Sequence, residues 1–418
     1  MRLTKVLLLP AVTTMMLAAC QNTTPQSDGV NDAPQTEQSL HERILTLDTH
    51  VDIPLDYMTA VDPGWQTEAQ VDLPKMVEGG LDAMFLIVYT PQTEISGQGY
   101  KDAARIAETR YRAIQQLIIK YPDRVGLAYT AADVRKIVGE GRKAILIGME
   151  NAYPLGPDLN KLDLWARRGV RYVGITHMGH NQFGDSSNPK VQWDEPESLH
   201  GGLTPLGRQL VAKLNDLGVM VDVSHAAKST MMEAVALSRV PVIASHSGAM
   251  SVATSARNLD DEQLRALANN GGVVQLVALD AYVKALTPEQ EAYKLSVWEQ
   301  MGFESDKQIF GMTPEQKADY EVKLAPMYDL APPASVADFV DHIDHVVTVA
   351  GIDHVGIASD FDGGGGIAGW EDASKTPNVT AELQRRGYSE DDIAKIWGGN
   401  LLRVMEAVED GRAGPKRR

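Results

Sequence analysis

The chain has 418 residues, 44% of them hydrophobic and 23% charged, with a formal net charge of −17. This is a soluble globular composition, long enough for one large domain or two medium ones. An acidic balance of this size argues against a nucleic-acid partner, which rewards clustered Lys and Arg, while a site that attracts cations benefits from it.

The N-terminus reads as a segment apart from the fold. Arg2 and Lys5 precede an apolar stretch, residues 6–19, too short to span a membrane as a mature helix. It ends in Leu17-Ala18-Ala19-Cys20, which resembles a bacterial lipoprotein box. The resemblance implies a signal peptide over 1–19, cleavage before Cys20 and lipidation of that residue, which is the only cysteine in the chain. Residues 20–39 are polar, without apolar period, and read as a flexible tether. Gln21 follows the cysteine. By resemblance to the sorting of Gram-negative lipoproteins, this implies an outer-membrane protein facing the periplasm, with 40–418 as a single domain.

Eight short apolar runs rich in Val and Ile then recur: 44–50, 83–89, 144–150, 172–177, 219–225, 240–246, 272–278 and 354–360. They fit buried parallel strands. Helical patterns lie between them. Residues 203–217 place Leu203, Leu206, Leu210, Val211, Leu214 and Leu217 near one face, with Gly218 as a stop, and 101–120 and 335–350 are similar. The alternation predicts an α/β fold, a (β/α)8 TIM-like barrel. A doubly wound open sheet usually offers a Gly-rich phosphate loop after its first strand, and none occurs here. Residues 280–334 form an insertion between the seventh and eighth runs, read as helical and folded over the strand ends. A helical tail starts at Ser389 as N-cap, with Ile393, Ile396, Leu401, Val404 and Val408 as its apolar stripe, interrupted at Gly398-Gly399.

The chemistry gathers where the runs end. The first ends in His50 and Asp52, the third in Glu150, the fourth in His177, the fifth in His225, the sixth in His246 and the eighth in Asp360. Residues i and i+2 of a strand share a face, so His50 and Asp52 converge. In a barrel all these ends open onto one mouth. Imidazoles and carboxylates together suit Zn²⁺ and similar divalent ions, and their number favours two metals about 3.5 Å apart bridged by a carboxylate.

The stretches LDTHVD, IGMEN, ITHMGHN, VDVSH, ASHSGAM, SARNLDD, ASDFDGG and YSEDDIAKIWGGNLLRVM resemble, in order, those of the membrane dipeptidase (renal dipeptidase) family of metal-dependent amidohydrolases. Where the wider superfamily opens with His-x-His, this chain has the dipeptidase variant His-x-Asp. The resemblance implies zinc-dependent hydrolysis of dipeptides by a metal-bridged hydroxide. His50, Asp52 and Glu150 would hold one zinc and Glu150, His225 and His246 the second, Glu150 bridging. His177 would stabilise the oxyanion, and Arg257 would pair with the substrate's C-terminal carboxylate. Asp360, rather than Asp362, would exchange protons with the leaving amine. His180 and His200 match no ligand motif, and Gly363 to Gly366 read as a loop allowing close backbone approach rather than a phosphate cradle. Relatives are often dimers, so a homodimer is a further expectation. Mammalian relatives carry an aromatic-rich stretch after the seventh strand, and this chain has VALDAYV, 277–283, which leaves side-chain preference open. The alternative readings are an amidohydrolase of another small amide, lactone or ester, and a lipoprotein that binds metal or peptide without catalysis.

Overall fold

The computed structural model describes residues 39–190, 193–303 and 312–413. The signal peptide, the lipidation at Cys20 and all of the expected tether before Ser39 lie outside these residues. Among them, nine parallel strands form one sheet: β1 (Leu47–Val51), β2 (Ala83–Tyr89), β3 (Val125–Leu127), β4 (Lys143–Glu150), β5 (Val170–Gly174), β6 (Met220–Asp222), β7 (Ile243–Ser247), β8 (Val273–Val277) and β9 (Val355–Ala358). The path runs β1-β2-β4-β5-β6-β7-β8-β9. Its two ends meet just beyond the last strand residues. Val51 bridges to Phe361, Asp360 N–H donates to His50 O at 3.0 Å, and Asp52 N–H donates to Phe361 O at 2.9 Å. Eight strands thus form a nearly closed (β/α)8 barrel, one for each apolar run. β3 is the addition. It pairs with Lys143–Ile145 at the start of β4 and stands off the path.

Strand periodicity sorts the core into two layers. Leu47, Phe85, Ile87, Leu146, Tyr172, Met220, Ile243 and Val273 form one buried cluster, the barrel interior. The intervening Met84, Leu86, Ile145, Ile147, Val173, Val221 and Val274 belong to the other, against the helices. Within the interior Gly148 makes room for Tyr172, because a Cβ there would stand 2.3 Å from the tyrosine Cζ. Leu401, Leu402, Met405 and Val408 of the tail helix Asn400–Asp410 join the interior cluster and close the barrel at the end away from the mouth.

The helices start and stop where their caps dictate. Thr204 accepts from Gly207 N–H and starts Pro205–Leu217, and Gly218, at φ 65°, ends it in the left-handed conformation. Ser335 and Asp338 form a capping box for Val336–Ala350. The helix expected from Lys101 begins earlier, at Gly97, because Ser96 caps it. In the tail Ser389 caps Glu390–Ala394, a π turn spans Lys395–Gly399 at the two glycines, and the five stripe residues are buried. Within the insertion the helices Asp280–Val283, Pro288–Met301 and Pro314–Leu324 are described. Its beginning reaches the mouth, where Tyr282, beside Leu279 just before the insertion, lines a cavity. No helix among the described residues is long and apolar enough to cross a membrane.

Candidate metal and substrate site

The mouth of the barrel brings the expected ligands together around Glu150, the last residue of β4. Its two oxygens face different neighbours. Oε2 is 3.6 Å from His50 Nε2, while Oε1 is 3.0 Å from His225 Nε2, 3.3 Å from His246 Nε2 and 3.7 Å from His177 Nε2. His50 Nε2 also stands 3.7 Å from Asp52 Oδ2 and 3.9 Å from Asp360 Oδ1. His225 and His246 approach Nε2 to Nε2 at 2.9 Å. Three groups have ligand atoms within 4.8 Å of one another: His50, Glu150 and His246; Glu150, His177 and His225; His50, Asp52 and Asp360. They overlap the two expected ligand sets without coinciding with them, since His177 and Asp360 also come within reach.

These residues fit divalent cations. Ligand atoms 2.0–2.1 Å from a tetrahedral zinc stand about 3.3 Å apart, close to the spacings around Glu150. His50 Nε2 and Asp52 Oδ1 are buried and have no hydrogen-bond partner, a condition that normally costs free energy and that a cation relieves. Two of the histidines, His50 and His246, are also oriented from behind. Tyr172 hydroxyl donates to Thr49 O at 3.1 Å and lies 3.0 Å from His50 Nδ1. With its only hydrogen used, it accepts from Nδ1–H, so that the neutral ring turns its Nε2 lone pair towards the carboxylates. Ser245 hydroxyl donates to Asp222 Oδ2 at 2.7 Å and lies 2.9 Å from His246 Nδ1, which fixes that ring in the same way.

The field follows from this crowding. Burial opposes charge on Glu150, but His177 and His50, with His225 and His246, hold its carboxyl well below the usual range. Burial also opposes charge on His50, yet Glu150 and Asp52 push it well above the ordinary imidazole value. Burial pushes His225 and His246 well down, aided by Arg257 and His177 at the first and by His50 at the second. Asp360 is pushed up to about 8 by burial, against His50 and with Asp52 and Glu150. His225 and Asp360 adopt left-handed backbone, φ 66° and 58°, a conformation that costs a non-glycine residue roughly 1–3 kcal/mol. Gly363 lets the next loop close in. A Cβ there would lie 2.3 Å from Asp52 Oδ2 and 2.6 Å from Asp360 Oδ1.

A cavity of ≈ 510 Å³ opens over these groups, a volume suited to a small ligand. Arg257 lines it, 2% exposed, with Nη2 donating to His246 O at 2.9 Å and the guanidinium 5.4 Å from the Tyr282 ring. His177 lines it too, its ring 4.8 Å from Tyr89 and 4.2 Å from His225. Asp362 turns towards the backbone N–H groups of Gln70 and Val71, at 2.9 and 3.4 Å. His180 and His200 bond to the carbonyls of Pro196 and Asn181 and hold the loop after β5. Sequence reasoning did not find Tyr172, Asp222, Ser245, Tyr89, Arg110 or Lys190. Asp222 and Ser245 lie within the motifs VDVSH and ASHSGAM, which was the signal available for them.

Comparison with known proteins identifies the family. A sequence model described as membrane dipeptidase (peptidase family M19) matches residues 34–417. The dipeptidase tcpJ of Claviceps purpurea is 31% identical over 95% of this chain and 80% of its own length. The crystal structure of the probable dipeptidase PvdM from Pseudomonas aeruginosa superposes with a TM-score of 0.81 at 38% identity, covering 89% of this chain and 97% of that one. A metallo peptidase from Rhodobacter sphaeroides, liganded with a phosphinate mimic of the dipeptide L-Ala-D-Ala, does so with a TM-score of 0.68 at 25% identity, covering 87% and 99%. With its model match spanning the barrel and its relatives similar over most of their length, the chain belongs to the membrane dipeptidase family, peptidase family M19, and is a metallo-dipeptidase.

Proposed function

We propose that the protein hydrolyses dipeptides with two divalent ions, zinc in the first instance, held by His50, Asp52 and Glu150 on one side and by Glu150, His225 and His246 on the other. The observation that carries this reading is the division of the Glu150 carboxylate, one oxygen towards His50 and the other towards His225 and His246. Ions bound there supply Lewis acidity and an activated water. The rest is the work of side chains. Asp52 and Asp360 offer negative charge to the free amino end. His177, kept down by burial and Arg257 against the pull of Glu150, donates from Nε2 to the oxygen of the scissile carbonyl as charge develops there. Arg257 takes the terminal carboxylate with its planar guanidinium. Asp360, poised near neutrality in the absence of cations and drawn down by their charge, receives a proton from the attacking water and returns it to the leaving amine. On the same reading residues 1–19 are removed and Cys20 is lipidated, which tethers the barrel to the outer membrane on its periplasmic side. The homodimer remains part of this proposal.

The test is a panel of L-L and L-D dipeptides and their C-terminal amides on purified, zinc-loaded protein, with metal content measured in parallel. The expected result is two equivalents of metal, turnover of free dipeptides and poor turnover of the amides. Loss of both equivalents in Glu150→Ala is expected, since one carboxylate serves both. Full metal content in that variant, or equal rates on acid and amide, overturns the assignment, and the second outcome favours a general amidohydrolase.

A further inference from the structure

Besides Arg257, two cations line the cavity, Arg110 and Lys190. Arg110 is engaged. Its Nε donates to Ile53 O and its Nη1 to Tyr89 O, both at 3.0 Å, and its guanidinium lies 5.2 Å over the Tyr89 ring. Lys190 differs. Among the described residues the partner of its ammonium is the Trp193 ring, 5.3 Å away, and no carboxylate pairs with it. Trp193 is itself 40% exposed.

The loop nevertheless holds this lysine in place. Its backbone N–H donates to Glu195 Oε2 at 2.6 Å, and Gly179 N–H donates to Asn188 O at 2.7 Å. The lysine stem lies on Gly179, where a Cβ would come within 2.7 Å of Lys190 Cγ. Gly179 is two residues beyond His177, so the ammonium is presented on the His177 wall. Burial pushes it down from the ordinary lysine value and Glu195, bonded to its backbone, offsets this only in part.

Topology says which end of a dipeptide this wall meets. In the eight-strand order, β5 and its loop stand across the mouth from β9 and its neighbour β1. Asp52, Asp360 and Asp362 follow β1 and β9, and they make that side anionic. His177 and Lys190 follow β5, and Arg257 follows β7, midway between β5 and β9 in the strand order. Arg110 stands on the carboxylate side, but its Nε and Nη1 are taken by Ile53 O and Tyr89 O. The charges left to a dipeptide are therefore polarised, with its amino end drawn to the carboxylates and its carboxyl end to Arg257 and Lys190. Arg257 accounts for the terminal carboxylate, and Lys190 is left for a second one.

We infer that Lys190 forms a subsite for an acidic side chain on the C-terminal residue, so that dipeptides ending in Asp or Glu are preferred to those ending in Asn or Gln. This rests on the dipeptidase reading of the same cavity. The experiment compares kcat/KM for Ala-Asp with Ala-Asn, and for Asp-Ala with Asn-Ala, in zinc-loaded wild type, Lys190→Met and Lys190→Arg. Removing a charge-assisted hydrogen bond from a partly dry site lowers the Ala-Asp to Ala-Asn ratio by about ten- to a hundredfold in Lys190→Met. Lys190→Arg should regain part of it, and the Asp-Ala to Asn-Ala ratio should stay as in wild type. An unchanged Ala-Asp to Ala-Asn ratio overturns the proposal, and so does a fall confined to Asp-Ala. If wild type cleaves none of the four, the dipeptidase reading fails instead. Calorimetric binding of the same peptides to the metal-loaded protein then reads the same ratios and decides the role of Lys190 on its own.

Discussion

Replacing Tyr172 by Phe isolates one oxygen atom that acts from behind the site. The ring stays where it is, 5.0 Å from Phe85 and over Gly148, so packing is conserved. What disappears is the approach to His50 Nδ1 at 3.0 Å and the donation to Thr49 O at 3.1 Å. Tyr172, His50 and Thr49 are all 0% exposed, so water does not replace the hydroxyl. A buried polar group left unpaired costs about 1–3 kcal/mol, which the apoprotein should register as a lower Tm. The second effect falls on metal. Loss of the outer partner of a ligating histidine weakens binding by about ten- to a hundredfold, or roughly 1.4–2.7 kcal/mol. Only the His50 side should suffer, because His246 keeps Ser245 and Asp222. The assay is stepwise competition for zinc against a chromophoric chelator, with thermal denaturation of the apoprotein alongside. One equivalent should weaken and the other hold. Wild-type affinity for both equivalents, or equal weakening of both, would refute the orienting role and leave Tyr172 as packing.

Two further outcomes follow from the geometry. Gly363→Ala would drive a methyl to 2.3 Å from Asp52 Oδ2 and 2.6 Å from Asp360 Oδ1, so metal content after purification should fall while circular dichroism reports an intact barrel. Full metal content would show that the loop yields. Away from the site, hydrogen bonds from Arg385 and Arg386, against some burial, hold Glu382 down to about 2 from an ordinary 4.5. A carboxyl depressed on folding contributes stability that is fully present above its unfolded value and lost as pH falls from there through the folded one. Glu382→Gln should therefore flatten the decline of Tm between about pH 4.5 and 2, and curves of equal slope for variant and wild type would exclude that contribution.

The barrel strands were legible because a buried parallel strand reads as an unbroken apolar run, and six of the eight runs end at or beside a residue of the candidate site. β3 was not, since three residues carry no period and Val125–Leu127 is defined only by pairing with β4. The cluster of His, Asp and Glu at the mouth was legible from the common position of these residues at strand ends. Their supports were not. Tyr172 reads in sequence as one more strand aromatic, and only closure of the barrel brings its hydroxyl to a histidine 122 positions earlier. Lys190 sits in the connection from β5 to the helix at Pro205, which has no apolar period to orient it. Its place against Gly179 depends on bonds to Glu195 and between Gly179 and Asn188 that no spacing announces.

The seam of the barrel has a consequence for the order in which the protein can form. β1 and β9 join through hydrogen bonds made by His50, Asp52, Asp360 and Phe361, and three of those four residues face the metal and substrate site. Contacts across some 310 positions are the slowest a chain makes, because loop closure must precede any reward. A growing polypeptide that has emerged past His246 but not as far as β9 carries all five expected ligands but lacks the strand that holds His50 and Asp52 in register. Metal capture is thus coupled to completion of the fold rather than to synthesis of the ligands, and fragments ending before β9 should have little hold on the ion.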